Sequence, residues 1–202
     1  MSSKSTKRIS RKKFHVVIFG SARIKREDPN WILIYDLARR VSEKGMDVVT
    51  GGGPGLMDAA SEGHYIGDIE NKSKSIGLQI KLPHPQKDAR YLEIKREFSR
   101  FSRRLDDFME LANVVVVAPG GVGTVLELFY TWQLIQVKMK QDIPIILLGD
   151  MWLDFMEWIR KWMLKEKLIE KKDVDLLFLA KDNEEVMCII NKAYKKFMKK
   201  QN

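Results

Sequence analysis

Three times in this chain an apolar run of strand length ends in a loop of small residues and gives way to helical spacing. Residues 14–19 end at Gly20-Ser21-Ala22-Arg23, residues 46–49 run into Gly51-Gly52-Gly53-Pro54-Gly55, and Val114-Val115-Val116-Val117-Ala118 precedes Pro119-Gly120-Gly121-Val122-Gly123-Thr124. An apolar run without polar alternation suits a strand buried on both faces, and strand-then-helix order repeated along a chain implies a parallel sheet covered by helices on each side. Apolar periodicity predicts helices over 29–44, 56–65, 102–111, 124–138, 153–165 and 183–199. Further strands are expected at 75–80, 143–148 and 176–179, with a short extended segment at 92–98. The fold class is therefore α/β, a doubly wound parallel sheet.

Length and composition fit one such unit. With 202 residues and 45% hydrophobic content the chain can build one substantial core. The expected division is a basic, flexible segment over 1–13 and a single domain over 14–202. No apolar run approaches the roughly 18 residues needed to cross a bilayer, and no signal-type apolar core follows the basic start, so a cytoplasmic protein is expected. The net charge of +9 is concentrated at the ends, with Lys4, Lys7, Arg8, Arg11, Lys12 and Lys13 at one and Lys192, Lys195, Lys196, Lys199 and Lys200 at the other. No recognition module accompanies this charge, so it reads as solvated ends, without membrane or nucleic-acid partners. Cys188 falls among Val186, Met187, Ile189 and Ile190 and reads as a packed thiol. His15, His64 and His84 lie in unrelated segments without ligand spacing, so no metal is expected.

In a doubly wound sheet, ligands bind at the carboxyl ends of the strands near the point where strand order reverses. Three glycine-bearing loops at that edge suggest a nucleotide-sized site. The loop at 119–124 opens a helix, whose N-terminus offers unpaired amides and a positive dipole end to a phosphate. Glu127 lies three residues beyond Thr124, about one turn into the helix, on the face that looks back at the loop. A phosphate cradle and a carboxylate thus share one volume. The first loop lacks the Gly-x-Gly-x-x-Gly pattern of dinucleotide sites, and no loop carries the Gly-Lys-Ser/Thr of ATP-hydrolysing proteins.

The nine-residue motif Pro119-Gly120-Gly121-x-Gly123-Thr124-x-x-Glu127, with Phe19-Gly20-Ser21-Ala22-Arg23 and Thr50-Gly51-Gly52-Gly53-Pro54-Gly55-Leu56-Met57, resembles the LOG (Lonely Guy) family. The resemblance spans 16–148. It implies a homodimeric, Rossmann-like enzyme that hydrolyses the N-glycosidic bond of a nucleoside 5′-monophosphate, such as an AMP-like substrate, to free base and ribose 5-phosphate without a cofactor. Many members were formerly called lysine decarboxylases. A pyridoxal phosphate enzyme needs a Schiff-base lysine, and nothing in the sequence sets one beside the phosphate loop.

Carried over by motif, the family's catalytic arginine falls on Arg104 and its catalytic glutamate on Glu127; Arg103 takes the first place if the register slips by one. Glu127 is expected to stabilise positive charge on the ribosyl group and to position water, and Arg104 to orient Glu127 and bind phosphate or ribose oxygens. Ser21, Gly52, Gly53, Gly120, Gly121, Gly123 and Thr124 are expected to hold phosphate and substrate. The family's Arg-Lys pair reads Arg104-Leu105 here, and its Pro-His-Glu-Gln reads Pro83-His84-Pro85-Gln86, departures that bear on substrate identity. The same architecture resembles molybdenum-cofactor carrier proteins, so a non-catalytic nucleotide or cofactor carrier is the alternative reading. The aromatic helix at 153–165, with Trp152, Phe155, Trp158, Ile159 and Trp162 on or beside it, has the spacing of a core or dimer helix.

Overall fold

Seven parallel strands form one sheet: β1 (His15–Phe19), β2 (Asp47–Thr50), β3 (Ser75–Ile80), β4 (Ile94–Phe98), β5 (Val114–Val117), β6 (Ile145–Leu148) and β7 (Leu177–Ala180). The computed structural model describes residues 9–84 and 87–201, so Pro85 and Gln86 and the basic residues Lys4, Lys7 and Arg8 lie outside the described residues. Strand order is β4-β3-β2-β1-β5-β6-β7, and every neighbouring pair is parallel. The chain walks outward from β1 to β4, then returns beneath the sheet to β5 on the other side of β1. Strand order therefore reverses between β1 and β5, where a doubly wound sheet opens its ligand crevice.

The helices divide between the two faces. On one lie α3 (Phe101–Leu111), α4 (Val122–Gln136), α5 (Met151–Trp158) and the short α6 (Lys171–Val174), and on the other α1 (Pro29–Ser42), α2 (Leu56–Gly67) and α7 (Asn183–Lys199). Alternation along each strand serves both layers. Val17, Phe19, Val115 and Val117 pack against Phe108, Leu128 and Trp132, while Val16, Ile18, Val114 and Val116 pack against Ile34, Leu37 and Ile190. Because both sets are apolar, the strands read as continuous hydrophobic runs. The result is the doubly wound, Rossmann-like single domain expected from the sequence.

Local signals set the helix ends. Asp28 caps α1 by accepting from the Asn30 amide, with Pro29 at the first helical position, and Asp182 caps α7 by accepting from Glu185. Several bounds differ from expectation. The segment at 92–98 is a full edge strand, since Ile94 to Phe98 ladder with Ile76 to Ile80 on β3. The helix expected at 124–138 begins two residues earlier, at Val122, which brings Gly123 into its first turn. The helix expected at 153–165 is α5 followed by a π-helical stretch, Ile159–Leu164. Its apolar side chains divide: Trp152 and Ile159 are buried, while Trp158 and Trp162 are half exposed.

Cys188 is a correction. The register of α7 buries Val186, Met187 and Ile190 and turns Cys188 outward, so the thiol is exposed. Near the start of the described residues, Ile9 is buried in the core, and Lys13 Nζ donates to the Lys72 carbonyl at 2.7 Å. Among the described residues no helix is long and apolar enough to cross a membrane.

Candidate active site

A cavity of about 490 Å³ opens at the carboxyl ends of β1 and β5. Its floor is the end of β1, its walls are Ser21, Ala22 and Arg23 on one side and Gly121, Val122, Gly123 and Thr124 on the other, and Arg104 and Glu127 close the back with Gly51 and Met57. The crevice is held shut below by backbone bonds: Ser21 N donates to Pro119 O at 3.0 Å, and Leu56 N to Ser21 O at 2.9 Å. All three glycine loops are thereby fixed to one another.

The catalytic pair suggested by the sequence is assembled. Arg104 Nη1 donates to Glu127 Oε1 at 2.9 Å, with both side chains about nine-tenths buried. Arg104 Nε donates to the Leu78 carbonyl at 2.7 Å, and its guanidinium lies 5.0 Å from the Phe108 ring centre. The arginine is thus held at three points, by β3, by its own helix and by Glu127. Its neighbour Arg103 is exposed. Burial pushes the Glu127 carboxyl above the usual carboxylate range, and the charge and hydrogen bond of Arg104 pull against that rise. A carboxylate so poised is desolvated yet kept ionisable by one fixed cation.

The loop entering α4 leaves donors free. Gly121 caps the helix with no side-chain hydrogen bond, and the first turn closes with Val125 N donating to Gly121 O at 3.0 Å. The amides of Val122, Gly123 and Thr124 are then the unpaired donors that a helix N-terminus presents. A side chain at Gly121 or Gly123 would meet nothing within 4 Å, and both residues border the cavity. Arg23 adds an exposed cation at the rim and, among the described residues, has no ion-pair partner. Positive rim, open amides and a buried carboxylate together suit an anionic ligand whose uncharged part reaches Glu127.

Not every expected residue reaches this space. Ser21, Gly121, Gly123 and Thr124 line the cavity with Arg104 and Glu127. Gly53 lines an adjoining cavity of about 320 Å³, which shares Gly51, Met57 and Arg104 with the first and is edged by Gln79, Lys81, Lys87, Asp88 and Glu97. Gly52, expected to contact substrate, lines neither. Its amide donates to Thr50 Oγ1 at 3.1 Å and its carbonyl accepts from Gln79 Nε2 and from Ala89 N, both at 2.9 Å. Gly120 is likewise turned from the cavity, packed against the Thr124 side chain. Leu105 is buried and lines neither cavity.

Residues that sequence reasoning passed over include Gly51, Met57 and Arg23. All three sit in or beside the loops already singled out, so proximity was the available signal. The Leu78 carbonyl carried none, because it is backbone on a strand far away in sequence.

A doubly wound sheet with an anion-accepting helix N-terminus and a buried Arg–Glu pair at its switch point is a nucleotide-site architecture. The family described as "Possible lysine decarboxylase" matches residues 57–190, which run from the first turn of α2 into the first half of α7 and include both charged partners. The chain belongs to this family, the one that includes the LOG proteins. A relative in Escherichia coli (strain K12), a pyrimidine/purine nucleotide 5′-monophosphate nucleosidase, is 30% identical over 128 residues, which are 57% of this chain and 28% of that relative's length. Among solved structures, the molybdenum cofactor binding protein of the phototrophic bacterium Rippkaea orientalis superposes with a TM-score of 0.62 at 21% identity, over 89% of this chain and 96% of that one. The molybdenum cofactor carrier protein of Chlamydomonas reinhardtii gives 0.65 at 18% identity, over 91% and 99%. At these identities the likeness is one of fold.

Proposed function

We propose that this protein is a cytoplasmic nucleoside 5′-monophosphate phosphoribohydrolase. The observation that carries the reading is the buried Arg104–Glu127 pair, set behind the open amides of α4 in one cavity. The 5′-phosphate sits on the amides of Val122, Gly123 and Thr124, with Ser21 and Arg23 at the opposite wall. The ribose then points at Glu127. As the bond between C1′ and the base nitrogen breaks, positive charge grows on the sugar ring, and a desolvated carboxylate favours that charge more in the transition state than in the ground state. Water adds at C1′, its proton passing to Glu127, and the base leaves with the bonding electrons and takes up a proton from solvent, to which Glu127 then returns the one it accepted. Arg104 holds the carboxylate in place and keeps it ionised until it is needed.

The relative in Escherichia coli supports this reaction class, while the chain spans only 28% of its length. The working form is a homodimer, as the family resemblance implies. Val122 is 88% exposed and Leu126 is exposed further along α4, leaving apolar surface at the mouth of the cavity.

A second reading has one observation in its favour. The two cavities meet at Arg104 and together offer more room than the first alone, which suits a carrier of a larger phosphorylated molecule such as a pterin cofactor. Incubation with AMP, GMP, CMP and UMP, followed by chromatography for free base, decides between them. Release of base from any of the four supports the hydrolase. Binding of nucleotide with no base released from any of them overturns it in favour of a carrier.

A further inference from the structure

We propose that the pole of the molecule opposite the cavity binds the sugar–phosphate backbone of nucleic acid. The sequence keeps its two basic segments almost a chain length apart, and each alone reads as a solvated end. The fold brings Lys12 of the first to the end of the second. Phe14, at the foot of β1, packs edge-on against Tyr194 and Phe197 of α7 with ring centres 5.2 and 5.3 Å away, and Gln201 Nε2 donates to the Lys12 carbonyl at 3.0 Å. β1 runs from this point toward the cavity, so the junction lies at the far edge of the sheet.

Lys12, Lys192, Lys195, Lys196, Lys199 and Lys200 are exposed at this junction, and among the described residues none of them forms an ion pair. The acidic residues of α7 are spent at its other end, where Glu184 pairs with Arg40 and Glu185 with Lys181. Complementing the helix dipole calls for a cation in the last turn. That accounts for Lys199 and Lys200, but not for Lys192 and Lys195 or for a lysine from the opposite terminus. Positions 192, 195 and 199 share one helix face over about 10 Å of axis. A row of unpaired cations on one helix, with Lys12 beside its end, matches a repeating phosphate backbone and reads no base.

An anionic membrane would need apolar side chains to insert beside the lysines. Here Tyr194 and Phe197 are turned into the contact with Phe14, and Met198 stands alone among exposed apolar residues over 191–201. The surface is charge without an insertion edge.

The test needs no assumption about the cavity. Fluorescence anisotropy of the full chain against a labelled 20-nucleotide duplex DNA and a single-stranded RNA of the same length is expected to show binding at 50 mM salt. Affinity should weaken on the order of 10²- to 10³-fold by 200 mM, as release of four or five counterions requires. Lys192→Glu/Lys195→Glu/Lys199→Glu should weaken binding at least about tenfold with an unchanged melting temperature. The matching Gln triple serves if the reversed charges impair folding. Lys161→Glu/Lys165→Glu/Lys171→Glu, on the far side of the sheet, should retain binding. No binding of either oligonucleotide at 50 mM salt, an equal loss in the Lys161 triple, or binding confined to phosphatidylserine vesicles overturns the proposal.

Discussion

The loop after β2 and the loop after β5 look alike in sequence, since each is a run of glycines between a buried strand and a helix. Gly52 and Gly55 in the first and Gly121 and Gly123 in the second differ in what surrounds them. In the β2 loop the missing side chains leave room for protein. A Cβ at Gly52 would lie 2.9 Å from Gln79 and 3.0 Å from the Gly77 backbone, and one at Gly55 would lie 2.4 Å from the Ser21 carbonyl oxygen; both residues have φ +70°. In the β5 loop, Gly121 and Gly123 face empty space. The first loop is a joint that locks three loops together, and the second borders open space at a helix N-terminus, as the proposed phosphate site requires. A glycine-rich motif therefore marks a place where two things come close, and only the packing says whether the second is protein or ligand.

Substitutions can break that contrast, and the largest effect is expected where the pair itself is cut. Glu127→Gln should keep a hydrogen bond to Arg104 while lowering base release by about 10²-fold or more, with AMP affinity nearly unchanged by calorimetry. Unaltered turnover would remove Glu127 from the reaction. Arg104→Ala leaves a buried carboxylate without its cation and should cost about 3 kcal/mol or more in urea denaturation.

Gly55→Ala sharpens the contrast from the joint's side. It meets backbone atoms at a φ that other residues rarely adopt, so a loss of about 2–3 kcal/mol is expected from the same titration. Gly123→Ala should act in the opposite direction, raising stability by up to about 1 kcal/mol in a helical first turn while weakening phosphate-ligand binding. Should Gly123→Ala destabilise the fold and spare binding, the cradle assignment fails.

The pH response gives a smaller test. Glu127 has its folded-state pKa raised by burial, so the ionised form that the proposed reaction needs appears only at higher pH than for an ordinary carboxylate. The acid limb of kcat/KM should therefore lie above the usual glutamate range, and Arg104→Lys should move it further up wherever the shorter cation holds Glu127 less well. His64 works with the other sign. Burial lowers its pKa, so the folded state resists its protonation, and stability should begin to fall as pH drops below about 6.5. His64→Gln should flatten that fall.

Much of this could be read from the chain because its signals are local. The bounds of α7 follow from Asp182, the apolar period and the lysine-rich end, and they match the expected 183–199. Glu127 follows from one loop and one helical turn. Arg104 came from register within a motif, and the geometry that distinguishes it from exposed Arg103 is the bond to the Leu78 carbonyl, which has no side-chain signature. Gly52 lines neither cavity because its neighbours, Gln79 and Gly77, come from the next strand over. β4 was legible only as an extended stretch: an edge strand such as Lys95-Arg96-Glu97 is polar where a buried one would be apolar. What the sequence hid was lateral, strand against strand.

The route of the chain to Arg104 has a further consequence. Its guanidinium ties the end of β3 to the first turns of α4, yet it is delivered from α3, which follows the outermost strand β4. These contacts span 26 and 23 residues and exist only when the middle of the sheet has closed. The charged pair is therefore expected to form late in assembly, after the non-local strand pairing it depends on. During refolding, recovery of turnover should lag behind recovery of helix, and a chain that has collapsed without closing its sheet would be recognisable by its silence.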